Sequence, residues 1–214
     1  AAELVGFVSS EPQWQRPRRE TDVEATIADR WRTRRKPWPG SATWRYLRNE
    51  RWLPDFRIRM AIRQDRLREG PHGSMWAAHT DDAGTVTGWE ERGPEWQGFS
   101  TGGAKTLFRL GDLAGLRVCV TEAAIDAMSL AELEGPREGS VYVSTGGGWS
   151  PTTEAALHGL AGQGGALLVA ATDNDPQGEV YADRVREIAD ASGADWLRLR
   201  PTEQDWNKVL KVHR

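Results

Sequence analysis

The chain has 214 residues, enough for one large domain or two small ones with a real core. Its one cysteine excludes a disulfide framework and a cysteine-built zinc site, and no stretch approaches the ~20 apolar residues of a membrane span. A net charge of −3 hides an asymmetry: residues 1–70 carry sixteen Lys and Arg against ten Asp and Glu, whereas residues 71–214 carry twelve against twenty-one. Basic groups that hold phosphates beside acids that hold cations would suit an enzyme acting on a polyanion; a solvated arginine-rich helix face would give the same count. The chain opens Ala1-Ala2-Glu3 without Met, as a segment of a longer protein would, and no signal-peptide pattern is present. The expected location is cytoplasmic, with no membrane partner.

Residues 1–22 are polar, contain proline and lack a period, which predicts an arm or linker. From Asp22 to about Arg35, apolar Val23, Ile27 and Trp31 recur every four positions, which predicts an amphipathic helix that Lys36-Pro37-Trp38-Pro39-Gly40 breaks. Ser41 is the expected N-cap of a second helix carrying Trp44, Leu47 and Arg48 towards Trp52, and Pro54-Asp55 opens a third that ends before Ile62. The texture then changes. Met75 to His79 and Thr85 to Arg92 alternate around Asp81-Asp82-Ala83-Gly84 and predict a β-hairpin, and Phe99 to Leu110 adds one or two strands around Gly102-Gly103. Residues 23–113 thus read as a basic helical plus β-hairpin subdomain.

Residues 114–214 alternate strand and helix. Strand 117–121 leads to a helix with Ile125, Met128 and Leu133 inward, and strand 141–144 leads through Gly146-Gly147-Gly148 to a helix opened by Ser150-Pro151. Strand 166–172 leads to a helix from Pro176 to about Ala191, and strand 195–199 completes the set. Such alternation implies a parallel sheet with right-handed crossovers, in which Cys119 simply packs. Two of the strands end in carboxylates: Thr121 is followed by Glu122, and Thr172 by Asp173-Asn174-Asp175-Pro176-Gln177-Gly178. Ligands of open α/β sheets bind outside the carboxyl ends of the strands, so these acids are expected at one rim, as a hard oxygen site suited to Mg²⁺. For Glu122 and Asp173 to share a cation, their strands must be neighbours, giving the strand order 2-1-3-4.

Each acid also has a structural reading. Asp175 before Pro176 is a natural N-cap, and Glu122 near a first turn complements the helix dipole. Asp126 lies one turn beyond Glu122, and Asp205 precedes a short final helix that it could cap. Asp173, after an apolar strand and two residues from Asp175, is harder to explain without a compensating cation. Gly178 lets the helix start approach a ligand or strand, and a helix start offers N–H groups to phosphate. Among the tryptophans, Trp31, Trp44 and Trp52 fall at helical core spacing, while Trp96 and Trp149 sit in loops where a ring could stack on a base. The histidines show no metal-ligand spacing, and no Ser/His/Asp set has a supporting context.

A Glu closing one strand with an Asp four positions later, and an Asp-x-Asp-x-x-Gly closing another, resembles the Toprim domain of bacterial primases, topoisomerases and certain nucleases. The likeness extends upstream through Gly40 to Leu47 and Gly88 to Gly93 and downstream to Asp205-Trp206-Asn207, as in the plasmid- and phage-associated DUF3991/Toprim proteins related to primases. It covers roughly residues 26 to 210 and implies an α/β fold, a Toprim-like parallel sheet flanked by helices and preceded by a small α+β subdomain.

The resemblance also implies a metal-dependent nucleotidyl or phosphoryl transfer on nucleic acid, like that of a primase core in plasmid or phage DNA replication. In that reading Glu122, Asp173 and Asp175 are catalytic and, with Asp126 and Asp205, hold Mg²⁺ or Mn²⁺. Lys105, Arg92 and Gly178 contact nucleic acid or nucleotide. Single-stranded DNA and nucleotides are the expected partners, with a helicase or relaxase as a further one. A Toprim-type nuclease, or a non-catalytic nucleic-acid-binding module, is the alternative. The flanks of Asp205 depart from the family pattern at Gln204 and Lys208. A topoisomerase is disfavoured, because no chain remains for a separate strand-passing domain with a tyrosine nucleophile.

Overall fold

The computed structural model describes residues 25–213. The arm expected over 1–22 and the first turn of the first expected helix lie outside them. Helix α1 (Ile27–Arg32) starts where Thr26 Oγ1 accepts the N–H of Asp29 at 3.1 Å, and it stops at Thr33, short of the expected Arg35. Ser41 caps α2 (Ala42–Arg45) as expected, its hydroxyl accepting the N–H of Trp44. The chain then widens into a π-turn, Tyr46–Glu50, closed by Arg51 N–H to the Tyr46 carbonyl at 3.1 Å. That widening shifts the following residues off the helical period. Trp52, expected in the core, is instead 40% exposed with φ 57°, while Leu53 takes the buried place. Helix α3 (Asp55–Arg63) runs past the expected end at Ile62.

The strands are β1 (Leu67–Glu69), β2 (Met75–Thr80), β3 (Val86–Arg92), β4 (Gln97–Phe99), β5 (Leu107–Gly111), β6 (Arg117–Thr121), β7 (Ser140–Ser144), β8 (Leu167–Ala170) and β9 (Asp195–Arg198). Between the later strands lie α4 (Ala124–Glu134), α5 (Pro151–Ala161) and α6 (Pro176–Ser192), and α7 (Trp206–Val212) follows β9. The hairpin is β2 and β3, and β1 is a short strand that the sequence pattern does not predict. All belong to one sheet, in the order β4-β3-β2-β5-β7-β6-β8-β9, with β1 on β2. Its last four strands are parallel and reproduce the expected 2-1-3-4 order. The antiparallel part is not separate from them, because β5 pairs with β7 from Phe108↔Ser144 to Gly111↔Val141.

Period-two alternation assigns the strand side chains to two faces. Cys119, Val169 and Ala171 face a core with Leu47, Leu53 and Ile58 from the front helices and Met128 and Trp206 from α4 and α7. Val118, Val120, Leu168 and Ala170 face Leu157, Val185 and Ile188 of α5 and α6. With both faces covered, the parallel strands read as continuous apolar runs.

On the hairpin, Trp76 and Trp89 stack with centroids 4.2 Å apart, and Trp31 of α1 closes on Trp89 at 6.2 Å. Arg30, Arg34 and Arg68 lie over these rings at 5.0 to 5.4 Å, so part of the basic charge at the front of the chain is spent on aromatic faces. Trp89 is fully buried. Trp89→Ala is expected to lower the unfolding free energy by about 3–5 kcal/mol, measured by urea unfolding; a change below about 1 kcal/mol would mean that this column does not anchor the hairpin.

Candidate active site

The carboxyl ends of β6 and β8 are adjacent because these strands pair in parallel, Val120↔Ala170 being their last matched residues. Glu122 follows the first and Asp173 the second, and the N–H of Asp173 donates to Glu122 Oε1 at 3.2 Å. Asp126 stands in the first turn of α4, buried, and accepts the N–H of Asn207 at 3.1 Å. Asp205 caps α7 by accepting the N–H of Lys208 at 2.7 Å. Glu122, Asp126, Asp173 and Asp205 all line one cavity of about 170 Å³, with Arg51, Arg92 and Asn207. Asp175 does not line it: its side chain is committed to the α6 cap, accepting Gly178 N–H at 2.8 Å.

The backbone under the cavity is held from several sides. Arg198 donates to the carbonyls of Ala170, Thr172 and Asp173, and Glu179 pairs with the same guanidinium. A Cβ on Gly178 would overlap the Asp173 carbonyl oxygen, so glycine permits this helix to begin against the strand end. Gly178 is buried and its N–H serves Asp175, leaving its contact with Asp173 as its visible role. Gly147 N–H donates to the Glu122 carbonyl at 2.7 Å, drawing the triple-glycine turn to the same rim.

Burial followed by carboxylate repulsion sets the electrostatics. Asp173 is pushed up to about 8 by burial, then by Asp126, Glu122, Asp205 and Asp175. Burial raises Asp126 to about 7, with Asp205 next in effect, and burial also raises Glu122. Asp173 Oδ1 is buried with no hydrogen-bond partner among the described residues. An orphaned acceptor among mutually repelling hard-oxygen donors fits a divalent cation in charge and chemistry. No three His, Cys, Asp or Glu side chains among the described residues are grouped tightly enough to form a finished ligand shell.

A second cavity, about 240 Å³, adjoins the first and shares Arg92 and Gly147 with it. Lys105 lines it, its ammonium donating to the Gly146 carbonyl at 3.1 Å and lying 5.3 Å from the Phe99 ring centroid. The Lys105 carbonyl accepts from Ser150, Thr152 and Thr153, which ties the lysine to the start of α5. Arg92 donates to Glu90 at 2.8 Å and to Gln97 at 2.7 Å. Glu90 itself is buried and accepts the N–H of Ala124 at the start of α4, joining the hairpin to the acidic rim.

Sequence reasoning missed Glu90, Arg51 and Asn207 as members of this site. Glu90 was accessible through the strand period, since it shares a face with Arg92. Nothing local marks Arg51, which reaches the cavity through the π-turn; Asn207 lies in the Asp205-Trp206-Asn207 motif, and its amide donates to the Arg51 carbonyl and to Ser129.

Residues 45–115 match the model of a protein family of unknown function, DUF3991, and residues 119–210 match the Toprim-like family. No curated protein matches the chain. Among solved structures, the primase fragment of the bacteriophage T7 primase-helicase is 18% identical with a TM-score of 0.50, covering 73% of this chain. The chain spans 65% of that fragment. The DnaG catalytic core is 17% identical over 82% of this chain and 70% of its own, with a TM-score of 0.51. A chain in a structure of bacteriophage T7 lagging-strand DNA polymerase interacting with primase domains bound to an RNA/DNA hybrid and dTTP gives 20% identity. It covers 73% of this chain and 81% of that one, also with a TM-score of 0.51. At these identities the likeness is one of fold. With both family models matched in tandem and the acids of the second brought to one rim, the chain is a DUF3991/Toprim-type protein.

Proposed function

We propose that the chain is the catalytic unit of a metal-dependent enzyme that transfers nucleotidyl groups on nucleic acid, in the manner of a primase core. The observation that carries this reading is the convergence of Glu122, Asp126, Asp173 and Asp205 on one cavity, with a buried oxygen on Asp173 that has no partner among the described residues. Glu122 and Asp173 would hold Mg²⁺ or Mn²⁺ with help from Asp126 and Asp205. Asp175 adds negative charge from the cap of α6 and could become a ligand by releasing Gly178. The cation, when bound, supplies charge neutralisation at phosphoryl oxygens and acidifies an attacking hydroxyl.

The protein's own groups account for binding and orientation. Among the described residues Lys105 donates only to a neutral carbonyl, so its full charge remains for a phosphate of an incoming nucleotide or a template. Arg92 stands between the two cavities, fixed by Glu90 and Gln97, where it can orient the same phosphate relative to the acids. Arg198 keeps Asp173 in place by fixing its backbone, which limits reorganisation when charge develops.

One gel tests the reading. Labelled single-stranded DNA is incubated with the protein, four ribonucleotides and Mn²⁺ or Mg²⁺, beside Glu122→Ala and Asp173→Ala. New oligonucleotides that fall by at least about 10²-fold in both variants are the expected result. Shortened DNA that is lost in both variants would replace the transferase with a nuclease. No product with DNA binding intact would replace it with a binding module.

A further inference from the structure

The triple-glycine turn that meets Glu122 leads into Trp149, whose ring lies parallel to that of Tyr181, centroids 5.6 Å apart and planes within 20°. Tyr181 is one turn beyond Gly178, the residue pressed against Asp173. Trp149 is thus two residues from Gly147, which meets Glu122, and Tyr181 three residues from Gly178, which meets Asp173. Burial and then the Glu122 carboxylate raise the Tyr181 phenol. Both rings are half-buried, and the exposed Arg184 guanidinium lies over them at 5.5 and 6.0 Å. Arg184 has no carboxylate partner among the described residues.

We infer that Trp149, Tyr181 and Arg184 form a stacking platform for one base of a single-stranded nucleic acid whose adjoining phosphate lies at the acidic rim. The inference rests on the nucleic-acid reading above and specifies how the strand is gripped. Every base has a π-face, so the platform is indifferent to sequence. Arg184 is exposed, so its guanidinium can leave the rings to a base and pair with that nucleotide's other flanking phosphate. Beyond Trp149 the surface turns acidic: Glu154 accepts the indole N–H at 3.0 Å, and Glu187 lines the same shallow hollow as Arg184. Those carboxylates repel a continuing phosphate backbone, so the platform takes one base and turns the strand away.

Binding without catalysis tests this. Fluorescence anisotropy is read in Ca²⁺ without nucleotides, so that the rim keeps a cation while no transfer occurs, with labelled oligothymidylate and with the same oligomer made abasic, for the wild type, Trp149→Ala and Trp149→Phe. Trp149→Ala is expected to weaken oligothymidylate about 5- to 150-fold while leaving the abasic oligomer unchanged, and Trp149→Phe to retain most of the affinity. Unchanged oligothymidylate binding in Trp149→Ala would overturn the platform and leave the nucleic-acid reading standing. Equal losses for both oligomers in Trp149→Ala, or an equally large loss in Trp149→Phe, would show that the indole supports the fold and would also overturn it. A wild type that binds neither oligomer would overturn both readings.

Discussion

Asp173→Asn is expected to raise the melting temperature of the metal-free protein at pH 9 and to remove its stabilisation by Mg²⁺. Asp173 is held at about 8 in the fold against an ordinary 3.8, by burial and by the surrounding carboxylates. A folded value above the unfolded one means that the native state keeps a proton which the unfolded chain has lost. Its contribution is complete below about pH 3.8, declines as the pH rises, and is gone above about pH 8. The wild type without metal therefore loses stability across that window, with Asp126 adding to the slope up to about pH 7. Asparagine keeps the shape and discards the charge, so this part of the slope disappears.

A tenfold change in proton affinity corresponds to ~1.4 kcal/mol, and discounting for the partly solvated position leaves about 2–3 kcal/mol, or roughly 4–12 °C. Mg²⁺ binding to the native state should raise the wild-type melting temperature, more at pH 9 than at pH 5, because a protonated carboxyl is a poor ligand. Differential scanning fluorimetry across pH, with and without Mg²⁺, reads all of this. Identical slopes in the two proteins, or an undiminished Mg²⁺ response in Asp173→Asn, would remove Asp173 from the proposed cation site.

Gly178→Ala should damage the same site through the backbone alone. The added Cβ would overlap the Asp173 carbonyl oxygen and stand 2.7 and 3.0 Å from the Asp173 carbonyl carbon and nitrogen. None of these atoms can rotate away, so α6 must withdraw from the end of β8. The costs are overpacking and the strained Asp175 cap, about 3 kcal/mol or more. Gly164→Ala is the matched control, since among the described residues nothing lies within 4 Å of a Cβ there. Urea unfolding should separate the two variants, and the surviving folded Gly178→Ala should respond less to Mg²⁺ than wild type. Equal stability in the two variants would mean that the helix start is not pressed on Asp173 as described.

Much of the fold was legible because its signals are local. Ser41, Ser150 and Asp175 announce helix starts through cap chemistry that needs only three neighbouring residues. The apolar runs around Val118 and Leu168 predict buried parallel strands, and the hairpin follows from alternation around an Asp-rich turn. Errors arose where one residue shifts the register. The π-turn after Arg45 puts Trp52 outside and Leu53 inside, and no residue type in Tyr46 to Glu50 requires that widening.

For the candidate site, the chain itself determines that Glu122 and Asp173 each close an apolar strand, because those runs are local. That the two strands are neighbours follows only from requiring the acids to share a cation, and the pairing of β6 with β8 meets that requirement. Sequence likeness names Asp126 and Asp205 as companions, but tertiary structure decides how each companion reaches the rim. Glu90 comes 32 positions before Glu122 and reaches α4 only because β5 links the hairpin to the parallel strands. Asp205 and Asn207 arrive because α7 packs back against α4. Asp175, two residues from Asp173, is turned instead to the helix cap. A short-range preference for capping competes there with long-range convergence, and only the packed backbone sets which of the two a given carboxylate serves.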